Sequence, residues 1–322
     1  MIRIARPITI ALAFVLALPG TGLAQWPEKP IRLYVPFPAG GAVDIVARLL
    51  ADKLTADLGK PVVIENKAGA GGILATDATA KAAPDGTTLL LTTPNHTINA
   101  ALQPSLPYDT EKDIAPVSIV AEVPEVLISH PAAPFATFPE FIAYAKANPG
   151  KLNYASAGIG TLPHVTMELL LRRTGIEVAH IPYRGAAPAM NDLLSGQVQL
   201  KLDTYATSHA QVAAGKLRML GIASLKRSRL MPETPTIAEM GLPDYEGILW
   251  IGMVAPAGTP KPIIDRLAAA NARAVRAPDV IEKFQNIGVD PVGGTPGEFA
   301  SLIARELPQW RNLVQAANIK LQ

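Results

Sequence analysis

The sequence contains no cysteine and has almost no net charge, and these two features exclude several classes of protein. Its 322 residues include 29 Lys and Arg against 27 Asp and Glu, which gives a formal net charge of +2. Without cysteine the chain cannot form disulfides, thiolate nucleophiles, iron–sulfur clusters or cysteine-based zinc sites. A near-neutral chain also lacks the excess basic charge with which proteins bind nucleic-acid phosphates. Because 49% of the residues are apolar and only 17% are charged, we expect a folded chain with a large core.

Long apolar runs are equally scarce, and the one that stands out lies at the N-terminus. Arg3 and Arg6 precede an apolar stretch over residues 8–18, and a small-residue end follows at Ala24. This order is typical of a cleavable secretory signal, whereas a membrane span needs about 20 apolar residues. We expect residues 1–24 to be a signal peptide, cleavage after Ala24, and a periplasmic protein. Loss of the two arginines would leave 27 basic and 27 acidic residues.

The rest of the chain alternates short apolar runs with helical patterns. Residues 31–35 predict a strand, and residues 43–58 predict a helix with apolar side chains on one face. The same pattern recurs at residues 152–156 and 163–173, and a short strand is predicted at 126–129. Such alternation indicates βαβ units with a mixed or largely parallel sheet, the α/β class.

Two α/β blocks and a helical C-terminal third predict a two-lobed molecule with a ligand cleft. We place lobe 1 in residues 26–122 plus 247–322 and lobe 2 in residues 123–246. Two crossings between the lobes would form a hinge.

Two glycine-rich turns, each between a predicted strand and a predicted helix, are the strongest candidates for binding residues. The first spans residues 36–44 and the second spans residues 156–164. Open backbone N–H groups and the positive end of a helix dipole suit an anion such as a carboxylate. Since ligands of open α/β sheets bind beyond the carboxyl ends of strands, the two turns would face one cleft. The alternative at each position is an ordinary turn in which glycine serves tight geometry.

Polar residues at other strand ends are weaker candidates. Asp203 and Thr204 follow an apolar strand and could accept a hydrogen bond from a ligand, or could cap a helix. Arg184 could pair with a carboxylate, although an exposed position beside a turn is the simpler interpretation. The five histidines show no metal-ligand spacing, and no nucleophile elbow, dinucleotide fingerprint or phosphate loop occurs. We therefore predict no metal, no cofactor and no catalytic residue.

Seven segments, in order and correctly spaced, together resemble one known family: the substrate-binding receptors of tripartite tricarboxylate transporters, often called Bug receptors. These segments are VPFPAGG at 35–41 with Asp44, VIENKAGAGG at 63–72, APDG at 83–86, LPYD at 106–109, SAGIGT at 156–161 with His164, IPYRG at 181–185 and APAGTP at 255–260.

The resemblance implies a two-lobed periplasmic solute-binding protein that closes on a small carboxylate and delivers it to a membrane permease. It also implies a ligand site formed by both turns and by a recurrent aspartate. The positions carried over, together with neighbours chosen from the residues themselves, are Phe37, Ala39, Gly40, Gly41, Asp44, Ser156, Gly158, Gly160, Thr161, His164, Asp203 and Thr204.

Two other functions stay open from the sequence alone. An exported hydrolase would use Ser156 or His164, and a ligand sensor would contact a signalling protein in the membrane instead of a permease. Di- and tricarboxylates, amino acids and aromatic acids are all candidate ligands, and a monomer is the default expectation.

Overall fold

A computed structural model of the chain describes residues 26–103, 105–228 and 231–317. The predicted signal peptide at 1–24 lies outside the described residues. Within the described ranges no helix combines the length and the apolar character that a membrane crossing requires.

The first part of the chain alternates strands and helices. Its elements are β1 (Ile31–Val35), α1 (Ala42–Leu58), β2 (Val62–Asn66), α2 (Ile73–Ala80), β3 (Thr88–Thr92) and α3 (Asn95–Leu102). Helix α1 buries Val43, Val46, Ala47, Leu50 and Leu54, which is the apolar face that the sequence predicts. The helix ends at Leu58 and is followed by Gly59, whose φ of 74° is the left-handed conformation that favours glycine.

The middle and the C-terminal parts repeat this alternation. The middle elements are β4 (Ile114–Ser129), α4 (Phe138–Ala147), β5 (Asn153–Ser156), α5 (Leu162–Thr174), β6 (Ala179–Pro182), α6 (Ala186–Leu194), β7 (Leu200–Thr204), α7 (Tyr205–Ala213) and β8 (Arg218–Ala223). The C-terminal elements are β9 (Ile248–Pro256), α8 (Lys261–Val275), α9 (Pro278–Asn286), β10 (Asp290–Pro291) and α10 (Pro296–Ala317).

The strands form a mixed sheet in the order β2-β1-β3-β9-β4-β7-β5-β6, with β8 and β10 also paired to β4. Strands β1, β2 and β3 are parallel to one another, as are β7, β5 and β6. Strand β4 joins the two groups, because residues 114–124 pair with β9 and residues 125–129 pair with β7 and β8.

Strand β4 contributes side chains to two of the apolar clusters, residues 117–123 to the first and Leu127 to the second. One contains β1, α1, β9 and α8 side chains, and it also includes Leu162 and Val165 of α5 and Ala206 of α7. The other is built from the middle elements around Phe141, Tyr154 and Leu202. Contact between the first cluster and α5 and α7 brings the starts of helices from both groups together.

Two elements differ most from the sequence prediction, and the short strand β10 was not predicted either. Strand β4 has 16 residues, whereas the pattern predicted a strand at 126–129 only. Pro116 and Pro124 lie within it, and proline is usually excluded from central strands because it cannot donate to the ladder. Here the pairing with β9 shifts register between Pro116 and Ser118. Because a register shift interrupts the regular ladder, the N–H group that Pro116 lacks is not required there.

Helix α3 was not predicted. It begins with Asn95, His96 and Thr97, which are weak helix formers, and all three side chains are buried. Burial of polar residues replaces the amphipathic pattern by which helices are recognised.

Candidate functional site

A cavity lies where the first residues of four helices meet. We call it the central cavity. Residues 41–43 at the start of α1, Thr161 and Pro163 at the start of α5, residues 185–188 at the start of α6, and Thr204 and Thr207 at the start of α7 all line it. Helix α1 belongs to the first group of strands and helices and the other three to the middle group. The cavity is therefore shared between the two halves of the molecule.

None of these four helices has a side-chain cap at its N-terminus. The N-cap residues are Gly41, Thr161, Gly185 and Thr204. The two glycines have no side chain, and neither threonine side chain accepts a hydrogen bond from a first-turn N–H group. The first N–H groups of a helix have no partner within the helix, and the helix dipole makes that end positive. Four such ends around one cavity suit a negatively charged group.

The turn before α1 is held in shape by Asp44. Its carboxylate accepts hydrogen bonds from the Gly40 N–H at 3.0 Å, from Arg48 at 2.9 Å and from Asn66 at 3.0 Å. Burial alone would raise the pKa of Asp44, but the hydrogen bonds from Arg48, Gly40 and Asn66 outweigh it and hold the pKa below 3.8. Asp44 therefore stays ionised and fixes the loop, and Gly40 does not line the cavity.

The turn before α5 is held by its own polar groups. The Ser156 hydroxyl accepts from the Gly158 N–H at 3.1 Å and lies 2.7 Å from His180 Nε2. The Gly160 N–H donates to His164 Nδ1 at 3.1 Å. Burial lowers the pKa of His164 to about 4, so its neutral ring can accept this bond.

The structure divides the predicted site residues into two groups. Phe37, Ala39, Gly41, Thr161, Asp203 and Thr204 line the central cavity. Gly158 lines a neighbouring outer pocket, which also includes Arg184 and shares Phe37 and Thr161 with the central cavity. Gly40, Asp44, Ser156, Gly160 and His164 line neither of these cavities and instead hold the two turns.

Sequence reasoning missed several lining residues. They are Asn95, Glu125, Thr207, Leu249 and the start of α6 at residues 186–188. The start of α6 repeats the strand–glycine–helix pattern of the two predicted turns, so the same reasoning could have found it. Glu125 lies with Glu122 in a largely apolar segment, and this is also a signal because an acidic residue is rarely buried without a role. Nothing in the sequence around Leu249 marks it as a lining residue.

Two acidic side chains, Glu125 and Asp203, line the cavity and form what we call its acidic floor, and the buried Lys201 pairs with Asp203. Lys201 Nζ lies 2.5 Å from Asp203 Oδ1, and the two side chains are 0% and 5% exposed. Glu125 is 0% exposed, and neither of its carboxyl oxygens has a hydrogen-bond partner among the described residues. Burial and the nearby Asp203 raise the pKa of Glu125 well above 4.5, and Lys201 opposes this only in part.

Two direct contacts join the halves beside the cavity. The side chain of Asn95, at the start of α3, donates to the Gly160 carbonyl oxygen at 3.1 Å. Gly185 approaches Pro38 so closely that a Cβ on Gly185 would lie 3.2 Å from Pro38 Cγ. The cleft is therefore closed at this point.

The site offers little to a nucleophilic mechanism. Ser156 is fully buried, and its hydroxyl is engaged by Gly158 and His180. Burial lowers the pKa of His180 to about 3, with the adjacent His164 adding to the effect. Among the described residues no cluster of three or more His, Asp or Glu could hold a metal ion.

Comparison with known proteins identifies the family. The model for the tripartite tricarboxylate transporter family receptor matches residues 46–319. BugT of Bordetella pertussis is 40% identical over 299 residues, which cover 92% of each chain. The structure of the periplasmic binding protein BugD is 35% identical with a TM-score of 0.87, and the alignment covers 92% of this chain and 100% of BugD.

Two similar solved structures contain a carboxylate. Rpa4515 of Rhodopseudomonas palustris with adipate is 34% identical with a TM-score of 0.88, covering 92% of this chain and 99% of that one. MatC of the same organism with malate is 35% identical with a TM-score of 0.84, covering 90% and 100%. These likenesses confirm the two-lobed α/β fold and the predicted resemblance. The chain therefore belongs to the tripartite tricarboxylate transporter receptor family, whose members are solute-binding receptors and not enzymes.

Proposed function

We propose that this receptor captures a small carboxylate in the central cavity and delivers it to the permease of a tripartite transporter in the membrane. The single observation that carries the proposal is the meeting of four uncapped helix N-termini from both halves around one cavity. Adipate and malate in the structures of relatives support the ligand class.

The ligand carboxylate accepts from first-turn N–H groups of α1 on one side and of α5, α6 or α7 on the other. Phe37, Ala39, Gly41 and Thr161 shape the part of the cavity around it. Gly40, Asp44, Ser156, Gly160 and His164 act indirectly by holding the two turns in position. A ligand that touches both halves favours the closed form by the difference in its affinity for the open and closed forms.

The closed form is the state that would dock on the permease, as a monomer in the periplasm. The proposed lobes are residues 26–122 with 247–322 and residues 123–246. Strand β4 and the start of β9 are where the chain would cross between them, and their pairing supports this division. The proposed cleavage site after Ala24 would release the chain into the periplasm.

A thermal-shift screen over a carboxylate library tests ligand capture, because a ligand that binds only the folded chain raises its melting temperature. The decisive variant is Gly41→Leu. Gly41 lines the cavity with an ordinary φ of −82°, and a Cβ there would meet only the Pro38 carbonyl oxygen at 3.7 Å. We expect a folded protein in which calorimetric titration detects no binding.

The matched control is Gly297→Leu, in the first turn of α10, where a Cβ would meet nothing within 4 Å. It should bind as the wild type does. Unchanged affinity in the Gly41→Leu variant would remove the start of α1 from the site. Capture of a membrane signalling protein by the ligand-bound receptor, in place of a permease, would replace the transport assignment with a sensing one.

A further inference from the structure

The side chains around the central cavity are mostly apolar, and none of them is a cation. Among the described residues that line the cavity there is no Lys, Arg or His. The apolar lining comes from strands, helices and loops of both halves, and it includes Phe37, Ala39, Val43, Pro163, Pro188 and Leu249. Away from the helix ends, a bound molecule therefore meets mainly carbon atoms.

The uncharged polar side chains of the lining already have protein partners. The side chains of Asn95 and Thr161 donate to carbonyl oxygens of the turn before α5, at 3.1 Å and 2.7 Å. The hydroxyls of Thr204 and Thr207 bond each other at 2.8 Å. A hydroxyl or amine on the ligand would have to compete with these bonds.

The acidic floor does not offer the ligand a polar contact either. Both carboxyl oxygens of Glu125 and Oδ2 of Asp203 are buried, so that a water-sized group in the cavity does not reach them. The other oxygen of Asp203 pairs with Lys201, which is itself 0% exposed. The floor therefore closes the cavity without presenting an acceptor to it.

The helix N-termini are then the polar partners that remain, and they meet at one cavity. Their N–H groups suit one anionic group that bridges the halves. A second carboxylate, or a hydroxyl or amine on the body of the ligand, would be buried without a partner, which is costly. Apolar groups, in contrast, gain free energy when they are buried here.

We propose that the ligand is an apolar monocarboxylate, with its single carboxylate at the helix N-termini and an unsubstituted hydrocarbon body against the apolar lining. This inference rests on the proposed function and names the class of carboxylate. It separates the chain from the relatives whose structures contain adipate or malate, because those two acids each carry a second carboxylate.

Matched ligand pairs test the inference by calorimetric titration of the purified chain. Butyrate with succinate, hexanoate with adipate, and 4-methylbenzoate with terephthalate have equal carbon numbers and differ by a methyl group in place of a carboxylate. We expect the monocarboxylate of the best pair to bind at least about tenfold more tightly, because the second carboxylate finds no cation or free donor. Equal or tighter binding of the dicarboxylates would overturn the inference.

Two further comparisons examine the body of the ligand. From acetate to propionate and butyrate, affinity should rise about fourfold with each methylene, as expected when each is buried. A hydroxyl on the body should weaken binding about tenfold, which 3-hydroxybutyrate measures against butyrate. An affinity that does not change along the series, or tighter binding of the hydroxy acid, would contradict an apolar body.

A pair of substitutions on α1 locates the apolar contact. Val43 lines the cavity, whereas Val46 is buried on the same helix and does not line it. We expect Val43→Ala to weaken binding of the best monocarboxylate about fivefold, because it removes carbon atoms from the lining. Val46→Ala, the matched control, should leave the affinity unchanged.

The outcomes distinguish this inference from the proposed function. Wild-type affinity in a folded Val43→Ala variant contradicts the apolar contact, and if that variant fails to fold, the ligand pairs and the chain-length series carry the test alone. Binding of dicarboxylates or hydroxy acids in preference to monocarboxylates contradicts only this inference. A failure of every acid to bind contradicts the proposed function as well.

Discussion

At the scale of single residues, the residues that touch the cavity and those that shape it are different, and only part of this division is visible in the sequence. Gly40 and Gly41 are adjacent in the same turn, yet Gly41 lines the cavity while the Gly40 N–H is engaged by Asp44. The position of the glycines between a strand and a helix predicts that this turn contributes to the ligand site. It does not show which N–H groups face a ligand, because that depends on the partners brought in by Arg48 and Asn66.

Glu125 makes the stability of the empty protein depend on pH. Its pKa is raised by burial in the native state, so the native protein holds this proton at pH values where the unfolded chain has lost it. Stability should therefore fall as pH rises from about 4.5 towards the raised native pKa, by about 1.4 kcal/mol for each pH unit between those two values. In Glu125→Gln this loss disappears, since the side chain does not ionise.

Urea denaturation of wild type and Glu125→Gln between pH 4.5 and pH 8 measures the effect. The variant should gain in relative stability with rising pH and level off once the native carboxyl of the wild type ionises. Parallel pH profiles for the two proteins would show that Glu125 titrates as an exposed acid does.

At the scale of elements, most strands and helices could be predicted, and the two clear failures share a cause. The alternation of apolar runs and helical faces predicted β1, α1, β5 and α5 to within one or two residues. Strand β4 carries two prolines, and α3 begins with buried polar residues, so neither shows the pattern by which its type is recognised. Tertiary pairing with β9 and burial of α3 decide their structure instead.

The start of α3 also predicts a role for Asn95 in closure. Its side chain makes a buried hydrogen bond to the Gly160 carbonyl oxygen at 3.1 Å, between elements of the two halves. We expect Asn95→Ala to weaken ligand binding about fivefold, because one hydrogen bond contributes about 1 kcal/mol to the closed form. Calorimetry with the best ligand from the screen measures the affinity.

A control and a second readout separate closure from folding. Asn148→Ala removes a side-chain hydrogen bond to the Tyr144 carbonyl oxygen at the end of α4, away from the cavity, and should leave affinity unchanged. Small-angle scattering of the ligand-free Asn95→Ala protein should show a larger radius of gyration than the wild type. Wild-type affinity and radius in this variant would mean that the contact does not hold the halves together.

At the scale of the whole molecule, we do not expect net charge to draw the proposed ligand to the cavity. The chain has a net charge of +2, and Arg3 and Arg6 lie in the predicted signal peptide, whose removal would leave a balance of zero. Attraction for an anion then comes from the helix ends at the cavity, which act over a short distance. The fold and the approximate place of the site follow from the sequence, whereas the acidic floor depends on a long-range meeting of β4 and β7.

Association kinetics should reflect this local attraction. Stopped-flow fluorescence should give an association rate constant that changes by less than about threefold between 50 mM and 500 mM salt, because steering by net charge is what salt screens most strongly. A fall of tenfold or more over this range would indicate long-range steering by surface charge.

The central claim is that a carboxylate bridges helix N-termini from both halves, and a crystal structure of the receptor with its best ligand tests it most directly. We expect carboxylate oxygens within about 3 Å of first-turn N–H groups of α1 and of at least one of α5, α6 and α7. A ligand bound to one half alone, or outside the central cavity, would contradict this claim.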